Sequence, residues 1–227
     1  MTNPDCLGHR ERLRKRFLEG GAKSMLDYEL LELLLMIAIP RRDVKPLAKE
    51  LIRKFGNFAG VINASVNDLM TVDGVKENSA TILKIIKESA LRMSWQNLQE
   101  KQEVVIAGWD DLLDYCRMAM AHNDVEEFRV LFLDTKLRLV AEEIQQRGTI
   151  DQVAVHPREV IRSAMNKNAT SIVLVHNHPS GDVTPSKADI EITKRIKEAA
   201  ENVDIQFIDH IIVTKDNYFS FKGRGIV

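Results

Sequence analysis

The residues with the clearest chemical potential in this 227-residue chain are His176-x-His178 followed by Ser186-x-x-Asp189. His176 and His178 follow the apolar run Ser171–Val175, which reads as a buried strand. Residues two apart on a strand point the same way and sit about 6–7 Å apart, so two imidazoles there can converge on one ion. Pro179 and Gly181 then favour an immediate turn. The turn brings Ser186 to the start of a helix and puts Asp189 in its first turn, where a carboxylate can swing back towards the imidazoles. Two histidines and one aspartate leave the fourth position of a tetrahedral zinc open, as a catalytic site requires. Each part has a plainer alternative. Ser186-x-x-Asp189 also reads as a capping box, though Glu or Gln is more usual at its last position. An isolated His-x-His pair is more often ordinary surface chemistry than a metal site. The joint pattern of strand-spaced histidines, tight turn and helix start favours a metal site.

The surrounding elements must position these groups. Phe128–Leu133 and Leu137–Ile144 read as strands joined through the short polar connection Asp134-Thr135-Lys136. Pro157 opens a helix to about Met165, and Ser186 to Ala200 reads as an amphipathic helix with Ala188, Ile192, Ile196 and Ala199 on its apolar side. Ile205–Val213 and Tyr218–Phe221 close the chain as strands. Strands alternating with helices predict a mixed sheet covered by helices. The first hundred residues read differently, as an all-α domain. Its helices are Arg10–Leu18, Asp27–Met36, Val44–Phe55, Asn67–Met70 and Glu77–Leu91. The character changes over Trp95–Ala107, which sets domains of 1–100 and 101–227 with a boundary near residue 102.

Composition bounds the rest. A 44% hydrophobic and 29% charged chain suits a globular protein. The net charge of -1 hides a division: residues 1–100 carry an excess of basic side chains and 101–227 an excess of acidic ones. Arg10, Arg12, Arg14, Lys15 and Arg16 could meet a phosphate backbone, or could form a solvated helix face. Two cysteines, Cys6 and Cys116, cannot form a four-cysteine zinc site, and they suit a reducing cytoplasm. The N-terminus lacks a signal-peptide core, and Leu30–Ile39 is too short to span a bilayer, so no membrane association is expected. There is no His-Glu-x-x-His and no Pro-Cys-x-x-Cys, which sets aside zincins and nucleobase deaminases. His210 reads as a core histidine or one hydrogen-bonded to a ligand.

His176-x-His178-x7-Ser186-x2-Asp189 resembles the JAMM (MPN+) metalloprotease motif. The wording VLVHNHPSGDVTPSKADIEIT, with GTIDQVAVHPREV before it and DHIIV and YFSF after it, resembles the RadC family over roughly residues 101–227. The N-terminal half resembles that family more loosely, through LDYELLELLL and the Gly74 turn. The resemblance implies a cytidine-deaminase-like α/β domain with zinc held by His176, His178 and Asp189. It gives Ser186 the task of hydrogen-bonding the developing oxyanion. It also implies an upstream glutamate as general base, and it favours Glu126 over Glu127; neighbours on a strand face opposite sides, so only one can serve. The expected activity is hydrolysis of peptide or isopeptide bonds in a substrate that the sequence does not specify. Leu69-x-x-Val72-Asp73-Gly74-Val75 is similar to a helix-hairpin-helix turn, although Lys76 stands where a second glycine is usual. Weak, non-specific DNA binding by residues 1–100 is therefore the competing expectation, with the second half as a metal-binding module that need not be catalytic.

Overall fold

In a computed structural model, residues 8–100, 109–148 and 155–227 are described. The expected boundary near 102 and the Thr149–Ala154 part of the motif before Pro157 lie outside them. The chain divides into two compact units between Ala90 and Leu91.

The first unit is helical: α1 (His9–Gly20), a short 3-10 turn at Ala22–Ser24, α2 (Asp27–Ala38), α3 (Lys45–Phe55), α4 (Phe58–Asn63), α5 (Val66–Met70) and the start of α6 (Glu77–Glu100). Leu31, Leu35, Ala48, Leu51, Val61 and Leu83 recur at helical spacing and form its dry core. The start of α3 follows from Pro46 in its first turn. Its end follows from Gly56, whose φ of 90° other residues resist. The sequence reading missed α4. That helix is short, and it is capped by the Asn57 side chain accepting from Gly60 N–H.

The second unit begins in the last turns of α6. This helix runs to Glu100 rather than stopping at Leu91, because Leu91, Trp95 and Leu98 lie one turn apart and pack into the core of this unit. There follow α7 (Trp109–Met120), β1 (Glu127–Leu133), β2 (Leu139–Arg147), α8 (Pro157–Asn166), β3 (Ser171–Asn177), α9 (Lys187–Glu201), β4 (Gln206–Val213) and β5 (Tyr218–Ser220). The strands form a mixed sheet in the order β2-β1-β3-β4-β5. Only β3 and β4 run parallel, joined by the crossover through α9. Alternation gives the sheet two apolar faces. Leu131, Val173, Val175 and Ile211 pack with Leu112, Cys116 and Met120 of α7. Phe128, Val130, Ile172 and Leu174 pack with Val160 of α8 and Ile196 and Ala200 of α9.

Two details set up the site. In β4 the pairing with β3 skips a residue, so that Phe207 lies opposite Ile172 and Asp209 opposite Val173. This bulge lets Phe207 and His210 face the same side, towards α9, despite their three-residue separation. Asp209 stabilises it by accepting from the N–H groups of His210 and Lys222, at 2.7 and 2.8 Å, and from the Ser220 hydroxyl. The buried stripe of α9 also differs from the expected one. Asp189, Thr193, Ile196 and Ala200 point inward, whereas Ala188 is exposed. A pattern based on apolarity alone shifts this stripe by one position, since two of its members are polar and buried only because they have partners.

Candidate metal centre

The end of β3 and the first turn of α9 bring His176, His178 and Asp189 together. His176 and Asp189 are buried, and the His178 side chain is 12% exposed at the rim. His176 Nε2 lies 2.9 Å from His178 Nε2 and 3.5 Å from Asp189 Oδ1, and His178 Nε2 lies 3.7 Å from Asp189 Oδ2. The group has the donor set and spacing to hold a metal ion.

The surrounding hydrogen bonds decide which nitrogens carry protons. His178 Nδ1 is 2.6 Å from the Asp182 carbonyl, which only accepts, so Nδ1 bears the hydrogen and the neutral ring has its lone pair on Nε2. Gly181, at φ 84°, and the Asp182 side chain accepting from Thr184 N–H shape the loop that presents this carbonyl. The Thr193 hydroxyl donates to the Asp189 carbonyl, so its oxygen accepts from His210 Nδ1–H at 2.6 Å. His210 Nε2 must then accept from His176 Nδ1–H at 2.7 Å. The chain of donors leaves His176 Nε2 with a lone pair too. Two lone pairs thus face each other across 2.9 Å beside a carboxylate oxygen, Asp189 Oδ1, that is buried and has no hydrogen-bond partner. A buried acceptor without a donor is costly, and three that converge fit a cation.

Burial favours the neutral form of His176 and His210, whereas the Asp189 carboxylate pulls His178 the other way, as it would pull any cation placed there. Burial holds His176 down at about 4, against the pull of Asp189, and holds His210 well below the usual imidazole value. His178 is drawn upward chiefly by the Asp189 carboxylate, with burial opposing and smaller contributions from the Asp182 carbonyl and the Glu126 charge. Burial alone would raise the Asp189 carboxyl, but the two imidazoles and the Ser186 contacts hold it well below the ordinary range. The rings of Phe128 and Phe221 stack against His176 and His210 and keep the back of the site dry.

Ser186 and Asp189 do form a reciprocal capping box. Ser186 Oγ accepts from Asp189 N–H at 3.1 Å, and Asp189 Oδ2 accepts from Ser186 N–H at 2.7 Å. The capping and ligand readings are therefore compatible, because the cap occupies Oδ2 and aims Oδ1 at the histidines. Ser186 is exposed, and among the described residues its hydroxyl serves the cap as an acceptor.

Glu126 and Glu127 diverge. Glu127 is buried, and its carboxylate pairs with Arg129 at 2.6 Å and Arg147 at 2.8 Å. Glu126 immediately precedes β1, two residues before Phe128, which pairs with His176 and stacks on its ring. By alternation its side chain belongs to the face that carries the histidines, and its charge reaches His178.

Residues 106–226 match the model of the RadC-like JAB domain, and residues 6–81 match that of the UPF0758 N-terminal domain. The chain is also 51% identical over 217 residues to a UPF0758 protein of Ruegeria pomeroyi, covering 96% of each. It is 48% identical over 215 residues to one of Rhodobacter capsulatus, covering 95% of this chain and 100% of that one. The chain belongs to the RadC family. Its JAB domain is of the JAMM/MPN superfamily, and the mixed sheet with flanking helices is the corresponding fold.

In the N-terminal part of this RadC chain, the basic run is largely engaged in structure. Arg10 donates to the carbonyls of Met36 and Ile39 at the end of α2 and of Arg42 in the loop after it, and Arg16 pairs with Glu29 at 2.5 Å. Gly74 does make a tight turn between α5 and α6, with φ 91°. However, Val75 N–H already bonds the Val72 carbonyl, and Lys76 N–H bonds Ser79 Oγ at 2.9 Å. A phosphate at this turn would have to displace those acceptors. No helix among the described residues is long and apolar enough to cross a membrane.

Proposed function

We propose that this protein is a zinc-dependent hydrolase of peptide or isopeptide bonds. The observation that carries the reading is the convergence of two unprotonated imidazole nitrogens on an unpartnered carboxylate oxygen. Tetrahedral zinc with ligands at about 2.0–2.1 Å sets donor atoms about 3.3–3.4 Å apart; His176 Nε2 lies 2.9 Å from His178 Nε2 and 3.5 Å from Asp189 Oδ1, on either side of that spacing, and one donor atom from each of the three residues lies within 4.8 Å of the others. Three protein ligands would leave one side open, and the 12% exposure of the His178 side chain supports an opening towards solvent there. When bound, the ion supplies Lewis acidity, polarising a carbonyl and making water acidic enough to ionise near neutral pH. Glu126 takes the proton from the attacking water and delivers it to the leaving amine nitrogen. Ser186 Oγ–H donates to the negative charge that develops on the carbonyl oxygen. His210 and Thr193 keep His176 in the tautomer that presents Nε2.

Purified protein should carry close to one zinc per chain, with His176→Ala or His178→Ala losing it by elemental analysis. With a peptide or isopeptide substrate found by screening, Glu126→Gln should retain zinc and slow hydrolysis on the order of 10²–10⁴-fold. Glu127→Gln should act through stability rather than rate, because its carboxylate is held by two arginines. Full zinc retention in both histidine variants, or unchanged turnover in Glu126→Gln, sinks the proposal.

A further inference from the structure

The backbone pairing of β1 with β3 runs from Leu133 opposite Ser171 to Phe128 opposite His176. One residue further, the Asn177 side chain takes over. Its Oδ1 accepts from Glu127 N–H at 2.8 Å, and its Nδ2 donates to the Val125 carbonyl at 3.2 Å and to the Asn123 carbonyl at 3.4 Å. The Val125 carbonyl and the Glu127 N–H belong to the two peptide units that flank Glu126. Asn177 is fully buried and sits between the two histidines, with its amide on the opposite side of the strand. A primary amide can satisfy a backbone acceptor and a backbone donor at once, which neither a hydroxyl nor a carboxylate of that length can do equally well. On its other flank the Glu126 carbonyl accepts from Gly148 N–H at 2.9 Å.

We propose that Asn177 is a positioning residue that clamps the backbone on both sides of Glu126, so that the strand bearing the histidines also sets where that carboxylate stands. Alternation along β3 gives the arrangement its logic. The residues on either side face the metal centre, and the one between them faces the segment that must be held in register with it. Displacements of about half an ångström matter for a proton-transfer group. The inference rests on the reading of Glu126 as the base.

The test uses the full chain loaded with cobalt(II) in place of zinc, with acetohydroxamate as the probe and the visible cobalt spectrum as the readout. The probe gives up a proton on binding, so Glu126→Gln should weaken it. Asn177→Ala should also weaken it, about fivefold or more, with cobalt content unchanged; in the Glu126→Gln background it should add less than about twofold, since coupled residues are non-additive. Asn177→Asp, which keeps the acceptor for Glu127 N–H and loses both donations, goes through the same cycle in case the alanine variant does not fold. An Asn177 variant that binds the probe as tightly as wild type overturns the inference. So does one whose loss adds fully to that of Glu126→Gln, and so does failure of both variants to fold, which would make Asn177 a requirement of the fold. If wild type takes up no cobalt, or Glu126→Gln binds the probe as well as wild type, the functional reading falls and the inference with it.

Discussion

Thr193 is not one of the three converging residues, yet it stands at the head of the donor chain that ends at His176 Nε2. Thr193→Val keeps the shape and removes the acceptor for His210 Nδ1–H, freeing His210 to change tautomer. Metal affinity should fall about 10–100-fold, as is usual when the partners of ligating histidines are lost, while Thr193→Ser should keep most of it. Competition with a chromophoric chelator measures this, and an unchanged affinity in Thr193→Val would contradict the assigned proton positions. The convergence of His176, His178 and Asp189 was legible because His-x-His and Ser-x-x-Asp pair near neighbours of known side-chain direction. Thr193 and Asn177 were not, because their partners sit on other elements. Thr193 did leave a trace, lying one helical turn after Asp189 and one before Ile196 and Lys197.

Ser186 caps the first turn of α9, and substitution separates that role from the oxyanion role proposed for it. Ser186→Ala removes the acceptor for Asp189 N–H and should cost about 1 kcal/mol of stability, whereas Ser186→Gly should cost only a few tenths of that. Both lose the hydroxyl, so both should lose turnover, on the order of 10²–10³-fold if it donates to the oxyanion. Thermal unfolding and rate measurements on the two variants distinguish capping from catalysis; full activity in Ser186→Gly would remove Ser186 from the chemistry. At this scale most helices and strands could be read from period and punctuation, because Pro46, Gly56 and Pro157 mark ends locally. The rest depended on tertiary partners. The last turns of α6 carry Leu91, Trp95 and Leu98 among polar residues, and their helical spacing is decisive only once α7 and the sheet offer a surface to bury them. The bulge in β4 has no local signal, since Phe207 to Val213 reads as an uninterrupted strand.

Both units should lose stability in acid through carboxylates whose pKa values lie lower in the folded state. Glu29 is lowered by its hydrogen bond with Arg16. Glu143 is lowered because Lys167 and Ser163 outweigh the opposing effect of burial. A group with a depressed folded pKa contributes stability that is fully present above the unfolded value, near 4.5 for Glu, and is lost as pH falls through the folded one. Denaturant midpoints should therefore drop below about pH 4.5, and the drop should be shallower in Arg16→Gln. A flat response from pH 6 to 3 would contradict these pairings. The two-part organisation was legible from the change in patterning, but the division falls within α6, where a helix continues across it. The extra residue in β4 makes the centre depend on chain length as well as composition. A relative lacking one residue between Phe207 and His210 would keep His176, His178, Ser186 and Asp189 unchanged and look intact to anyone comparing those positions. Its shortened strand would turn the imidazole towards α7 or slide its neighbours out of step, leaving His176 Nδ1–H without an acceptor. For descendants of this chain, an insertion or deletion in β4 is therefore a quieter route to a disrupted His-His-Asp group than loss of one of its three residues.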